Sequence, residues 1–187
     1  MKRSGHLLGS VPNFEVIEFG SAHTDTATGK IFIQSGSGLH DGCRNTISHE
    51  FGELLFNKYT DKNGVEALHK AILADRKTYP EIIKNAKNVS KNDILSLQDK
   101  QSGAIFGKSF DDLDINQQHR ITSFFDVAGS ATGGEYGFGH ENYLDEISAG
   151  RFGNDAFAGV YVAVLNGYQE YKEAYPALWK LLRGLYK

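Results

Sequence analysis

Thr46-Ile47-Ser48-His49-Glu50-Phe51-Gly52-Glu53-Leu54-Leu55-Phe56 is the stretch on which the reading of this chain turns. Ile47, Phe51, Leu54 and Leu55 fall on roughly one side of a helix, and Asp61-Lys62-Asn63-Gly64 ends the pattern. The spacing predicts an amphipathic helix over about 45–60. His49 and Glu53 stand at i and i+4, so they project from one face, one turn apart. Glu50 follows His49 directly, where its carboxylate can reach a water held by its neighbours.

Upstream of this helix, residues 10–40 read as β-rich. Phe14-Glu15-Val16-Ile17-Glu18-Phe19 and Lys30-Ile31-Phe32-Ile33-Gln34 are short, β-branched and aromatic, and the turn-rich Thr24-Asp25-Thr26-Ala27-Thr28-Gly29 separates them. A hairpin is the simplest account. Ser35 to Gly42 then reads as a loop; no Lys-Ser/Thr follows its glycines, which argues against a phosphate-binding loop. Downstream, Val65 to Thr78 has helical spacing and stops before Pro80. Residues 81–113 are polar with short apolar bursts, and read as a short helix followed by a variable insertion.

The pattern sharpens in the C-terminal half, 114–187. Asn116 to Val127 is predicted helical, Gly129 to Gly139 a glycine-rich loop ending in His140, and Asn154 to Leu165 helical again with Gly167 as its cap. Pro176 opens a last helix, Ala177 to Tyr186. The expectation is one α+β domain over residues 1–187, with a small N-terminal β element packed on a mostly helical body. Its sheet and opening helix would form one wall of a cleft, and the helices after Asp114 the other.

Composition narrows the function classes. A chain of 187 residues can bury roughly 70% of its unfolded surface, enough for a real core. A formal charge of −3 offers no basic footprint for a phosphate backbone, so nucleic acid is disfavoured as a partner, although a small nucleotide is not. No run approaches the ~20 apolar residues of a membrane span. The Met1 to Gly9 start carries no apolar run long enough for a secretory signal. Cys43 is the single cysteine, which removes internal disulfides and thiolate metal clusters.

The chemistry these residues suit is metal-assisted hydrolysis. It needs three protein ligands, an open position for water, and a carboxylate to take the water's proton. His49 and Glu53 would supply two ligands from one rigid helix, with Glu50 as general base. The layout is that of the metalloprotease helix His-Glu-x-x-His with glutamate at the final position. Carboxylate oxygen is an acceptable zinc ligand, but its extra negative charge makes a bound water less acidic.

Three downstream segments add to this: Gly137-Phe138-Gly139-His140-Glu141-Asn142-Tyr143, Asn154-Asp155-Ala156-Phe157-Ala158-Gly159 and Tyr175-Pro176-Ala177-Leu178-Trp179. With the His49 helix, and in this order over most of residues 44–187, they resemble the zincin-type metallopeptidase domains of bacterial polymorphic toxins and of phage head-morphogenesis protein C-termini. The resemblance implies that His49 is a metal ligand, Glu50 the general base, and Asp155 a third ligand where the family has glutamate. It places Glu53 where the family has its second histidine. His140 and Tyr143 would match the Gly-His…Tyr element, whose side chains bind substrate or stabilise the oxyanion.

Zinc is the implied metal. One histidine and two carboxylates also make a site that accepts manganese, calcium or magnesium more readily than an ordinary zinc site does, and His140 could replace Asp155 as a ligand. The resemblance implies a secreted or injected effector, or a phage-related cytoplasmic protein, with a protein or peptide substrate and an immunity or inhibitor protein as partner. Two alternatives stand beside it. A catalytically inactive module of the same fold would only bind protein. An ADP-ribosyltransferase-type toxin domain would use His23 or His40 with Tyr136 and Glu146, but the sheet-rich pattern it needs is missing.

Overall fold

The computed structural model describes residues 12–17, 22–25, 27–34, 41–63, 65–136 and 153–185. Three strands, β1 (Asn13–Ile17), β2 (His23–Asp25) and β3 (Lys30–Gln34), form a sheet in the order β1-β3-β2. β1 runs parallel to β3, and β2 antiparallel to it. The expected hairpin is therefore corrected: the two apolar runs lie side by side but parallel, and the tight turn joins β2 to β3. His23-Thr24-Asp25 is too short and polar to announce itself as a strand. The carboxylate of Asp25 makes the turn by accepting from the Ala27 and Thr28 N–H groups and from the Thr28 hydroxyl. Gly29, at φ 70°, closes the turn by donating its N–H to the Asp25 carbonyl.

The rest of the described chain is mostly helical: α1 (Asp41–Asn63), α2 (Glu66–Lys77), α3 (Glu81–Lys84), α4 (Lys91–Phe106), α5 (Ile115–Thr132), α6 (Asn154–Asn166), α7 (Gln169–Ala174) and α8 (Pro176–Gly184). The class is α+β, as expected. Three boundaries differ. α1 begins at Asp41, inside the expected loop. α4 occupies the expected insertion: Ser90 and Asp93 cap it reciprocally, and Ile94 is buried while Leu97, Ile105 and Phe106 pack on the core. Few apolar residues suffice there, which is why periodicity missed it. α5 runs on through Gly129 to Thr132 because residues 127–131 are buried, so the glycine-rich loop starts at Gly133. The short α7 was not anticipated.

α6 is the centre of the body. Ala156, Phe157, Ala158, Val160, Tyr161 and Ala163 are fully buried. Phe157 meets the rings of Phe56 and Tyr59, and Tyr161 stacks on Phe51, so α1 packs along α6. A Cβ on Gly52 would lie 2.8 Å from the Ala158 Cα, so the α1 and α6 backbones touch at this point. On the other flank a Cβ on Gly159 would lie 2.6 Å from Val127 Cγ2 of α5. The start of α6 is fixed as tightly. Gly153 takes φ 84°, and the Ser130 hydroxyl on α5 accepts from the Ala156 N–H at 3.2 Å. The sheet closes over α1, with Ile31 fully buried.

α8 is seated by a charge. Pro176 stands in its first turn, and the buried Asp75 of α2 accepts from the Ala177 N–H at 2.7 Å and the Leu178 N–H at 2.9 Å. The carboxylate thus satisfies two orphan donors at a helix start whose dipole favours it.

Two predictions follow from these contacts. Alanine normally stabilises a helix by about 1 kcal/mol over glycine. At Gly52 the backbone contact reverses that sign, and Gly52→Ala should lose about 1–3 kcal/mol in urea unfolding; a stabilised variant would contradict the close approach. For Asp75, burial raises the carboxyl above its ordinary 3.8, although the Leu178 and Ala177 N–H groups pull it down. A raised acid is fully stabilising below its unfolded value, and that stability is lost as pH rises through the folded value. The stability advantage of the natural protein over Asp75→Asn should therefore shrink as pH rises from 3.8 upward. If thermal melts show it growing, the hydrogen bonds outweigh burial.

Candidate metal centre

His49 and Glu53 project from the same face of α1, as their spacing predicts, and Asp155 in the first turn of α6 meets them. His49 Nε2 lies 3.7 Å from Glu53 Oε1 and 3.5 Å from Asp155 Oδ1. One ligand atom from each of the three lies within 4.8 Å of the others. These separations exceed an ordinary N–H···O hydrogen bond of about 2.7–3.2 Å. They approach the donor–donor edge of a tetrahedral site, about 3.3–3.6 Å for bonds of about 2.0–2.2 Å. The donor set, one imidazole and two carboxylates with all three side chains partly exposed, fits a divalent cation with room for further ligands.

Glu50 is buried on the sheet side of α1, 6% exposed. The Thr24 hydroxyl on β2 lies 2.9 Å from Glu50 Oε2 and 2.9 Å from the Glu50 carbonyl, and so ties the sheet to the helix at this residue. Burial, and then the charge of Glu53, push the Glu50 carboxyl up to about 7, against the pull of His49 and Thr24. A carboxyl at that position accepts and returns a proton near neutral pH. For His49 burial alone would lower the imidazole, but Asp155 and Glu53 outweigh it and hold it up at about 10. Without a metal the cluster is an imidazolium held between two carboxylates. A metal must displace that proton, since only neutral imidazole ligates.

Beside His49 and Glu50 lies a cleft of about 220 Å³. α1 supplies one wall with Asn45, Thr46, His49 and Glu50; α5 supplies the other with His119, Arg120 and Ser123. Gly159 and Val162 of α6 also line it, and Tyr168 and Tyr171 complete it. The cleft has α1 facing the helix that follows Asp114, as expected, but among the described residues the sheet, expected to share the α1 wall, lines none of it. Arg120 is rigidly held. Its Nε and Nη2 meet Glu170 at 2.5 and 2.6 Å, its guanidinium lies 3.9 Å from the Tyr168 ring centre and 5.1 Å from that of Phe106, and its carbonyl accepts from the Tyr171 hydroxyl.

Of the residues singled out in the sequence, His49, Glu50, Glu53 and Asp155 come together. His140 and Tyr143 lie outside the described residues, as do His40 and Glu146. His23 stacks on Phe32, ring centres 4.7 Å apart, and Tyr136 is flanked by Arg76 and Lys87 at 5.9 and 5.7 Å. Thr24, His119, Arg120 and Tyr168 were missed. No sequence motif marks them, because they reach the site through tertiary packing. Among the described residues, no helix is long and apolar enough to cross a membrane. Comparison with protein-family models, with curated proteins and with solved structures gives no match.

The charge state of His49 is directly measurable. Its folded value exceeds the usual 6.5, so the cluster contributes fully below pH 6.5 and loses that contribution as pH rises through about 10. Imidazole NMR of metal-free protein should find His49 protonated at pH 8 and titrating lower in Asp155→Asn. A midpoint near 6.5 would show that the two carboxylates do not act on it.

Proposed function

We propose that this chain is a zincin-type metal-dependent hydrolase acting on a peptide bond of a protein target. The observation that carries the reading is the convergence of His49 and Glu53 from α1 with Asp155 from α6, with the buried Glu50 immediately beside them. These are four of the residues that the family resemblance selects, drawn from segments about a hundred positions apart. A chance His-Glu-x-x-Glu string on a solvated helix face gives no reason for a distant carboxylate to arrive within 3.5 Å of the histidine.

A divalent ion held by His49, Glu53 and Asp155 would supply the Lewis acid that activates water and polarises the scissile carbonyl. The chain's own residues do the rest. Glu50, held up at about 7, takes the proton of the attacking water and delivers it to the leaving amine. Thr24 fixes the Glu50 carboxylate through Oε2, tying it to β2 at the border of the cleft that Glu50 lines. The cleft beside His49 receives the substrate chain. The second carboxylate weakens the electrophile relative to a two-histidine site and widens the choice of metal to manganese or another hard cation beside zinc. A role as a toxin or effector module with an immunity partner rests on the resemblance alone.

One observation favours a second reading, an inactive module of the same fold. His49, protonated at neutral pH between Glu53 and Asp155, already forms a cluster that clamps α1 to α6 with no metal. Metal analysis after extensive dialysis separates the two. The hydrolase reading expects about one equivalent of divalent metal, lost in His49→Ala, while Glu50→Gln keeps the metal and loses at least about 100-fold in peptide hydrolysis. Protein that stays metal-free in the presence of zinc and manganese, and melts at the same temperature with and without them, would sink it.

A further inference from the structure

The α5 wall of the cleft contains a group that metal-assisted hydrolysis does not require. Arg120 is half-buried and lines the same cleft as His49 and Glu50. It is fixed on three sides: Glu170 engages Nε and Nη2, Tyr168 stacks on the guanidinium, and Phe106 lies within cation–π reach. An arginine that served only to hold α7 to α5 would need the Glu170 pair and nothing more. Guanidinium has five N–H donors in a rigid fork, and the two-point pair with Glu170 occupies one edge of it. The preceding residue, His119, is exposed and lines the cleft too, so a second nitrogen-bearing side chain belongs to the same wall. Apart from Glu170, whose carboxylate pairs with Arg120, the acidic groups about the cleft lie on the other side: Glu50 on the α1 wall, with Glu53 and Asp155 around His49.

Arg120 and His119 are thus gathered on α5, where Glu170 compensates the Arg120 charge but leaves guanidinium N–H groups over, and the acidic groups stand about the site where a bond would be cut. The remaining lining of the cleft is more apolar than polar: Gly159, Val162 and the Tyr168 and Tyr171 side chains stand beside the polar groups of Thr46, Ser123 and Asn45. A side chain with an apolar stem and a polar end matches both parts of this lining, whereas a purely aliphatic one would bury the polar groups unpaired.

We infer that the Arg120–His119 wall is a carboxylate-binding subsite, which selects substrates carrying a carboxylate next to the bond held at His49 and Glu50. The inference rests on the hydrolase reading for the position of that bond, but not for the existence of the subsite. The carboxylate has two chemical sources: the side chain of an aspartate or glutamate within the target, or the α-carboxylate of a chain end. Arg120 and His119 act as specificity-determining residues, and Glu170 and Tyr168 keep the guanidinium plane in place.

The test uses small probes and needs no turnover. Metal-free and zinc-supplemented protein are titrated, following backbone amide shifts by NMR, with three capped dipeptides. Acetyl-Ala-Glu-amide carries a side-chain carboxylate, acetyl-Ala-Ala a terminal one, and acetyl-Ala-Gln-amide none. A carboxylate-bearing probe should bind about tenfold more tightly than the glutamine probe, as expected for a charge-assisted bond in a half-buried site. The shifts should map to Ser123, Gly159 and Val162, and whichever carboxylate probe binds better identifies the source.

Arg120→Lys, which keeps a charge for Glu170 but loses the fork, should bring binding down to the glutamine level. His119→Gln, at an exposed position, guards against a folding defect and should weaken binding severalfold. Equal binding of all three probes, no binding at millimolar concentration, or shifts that map away from the cleft would each overturn the subsite. Absence of metal uptake or of hydrolysis in the same preparations would instead count against the hydrolase reading, so the two failures are told apart.

Discussion

The contact on which the rest of the structure depends is the one between Gly52 and Ala158. There the α1 and α6 backbones approach so closely that a single added carbon would lie 2.8 Å from the Ala158 Cα. Both neighbouring turns of chemistry hang on that spacing. His49 lies three residues before Gly52 on α1 and Asp155 three before Ala158 on α6, so each is about one helical turn from the point of contact. A separation larger by even a side chain's width would carry Asp155 beyond reach of His49. Gly159 does the same service on the α5 flank, where it lets Val127 nest against α6. α6, the most apolar helix of the body, is held between the two walls of the cleft by small residues on opposite faces. Packing at protein-interior density transmits such a constraint with little slack.

That constraint explains what could be read in advance. The opening helix, the helix over Asn154 to Asn166 and the last helix declare themselves by dense apolar periodicity and by glycine and proline at their ends. His49, Glu50 and Glu53 were legible because one helix presents them together. Asp155 was legible only through its setting, Asp-Ala-Phe-Ala, whose small residues carry no chemistry and serve the close approach. Gly52 sits inside the motif for the same reason. Its value is steric, and a search for catalytic groups passes over it.

What was not legible depends on long-range partners. β2 is three polar residues, stabilised by pairing with β3 and by a turn that Asp25 closes, and nothing in its own pattern is strand-like. Yet it delivers Thr24 to Glu50. α4 buries the polar Gln98, Gln101 and Ser102 beside Ile94, so its reciprocal Ser90–Asp93 cap is a better signal than its hydrophobicity. Arg120 reads as an ordinary surface charge until α7 returns Glu170 and Tyr168 to it across about fifty positions. The parallel pairing of β1 with β3 was missed because two short apolar runs around a turn-rich segment suit a hairpin equally well; the intervening β2 takes the antiparallel place.

The electrostatics of the centre bear on why glutamate can stand at position 53. With two histidines the empty site would carry little charge and little cost. With Glu53 and Asp155 around one imidazole, two carboxylates stand near each other in a partly buried space, where their like charges repel. The protein answers by holding His49 protonated, and the charge of Glu53 adds to the burial that lifts Glu50 to about 7. A divalent cation relieves the same repulsion more completely than a proton can, because it places two positive charges where the proton places one. In a site that held such a cation, the glutamate would weaken the electrophile but increase the electrostatic gain on filling the site. Affinity for a hard cation and reduced power to acidify water would be two faces of the one glutamate.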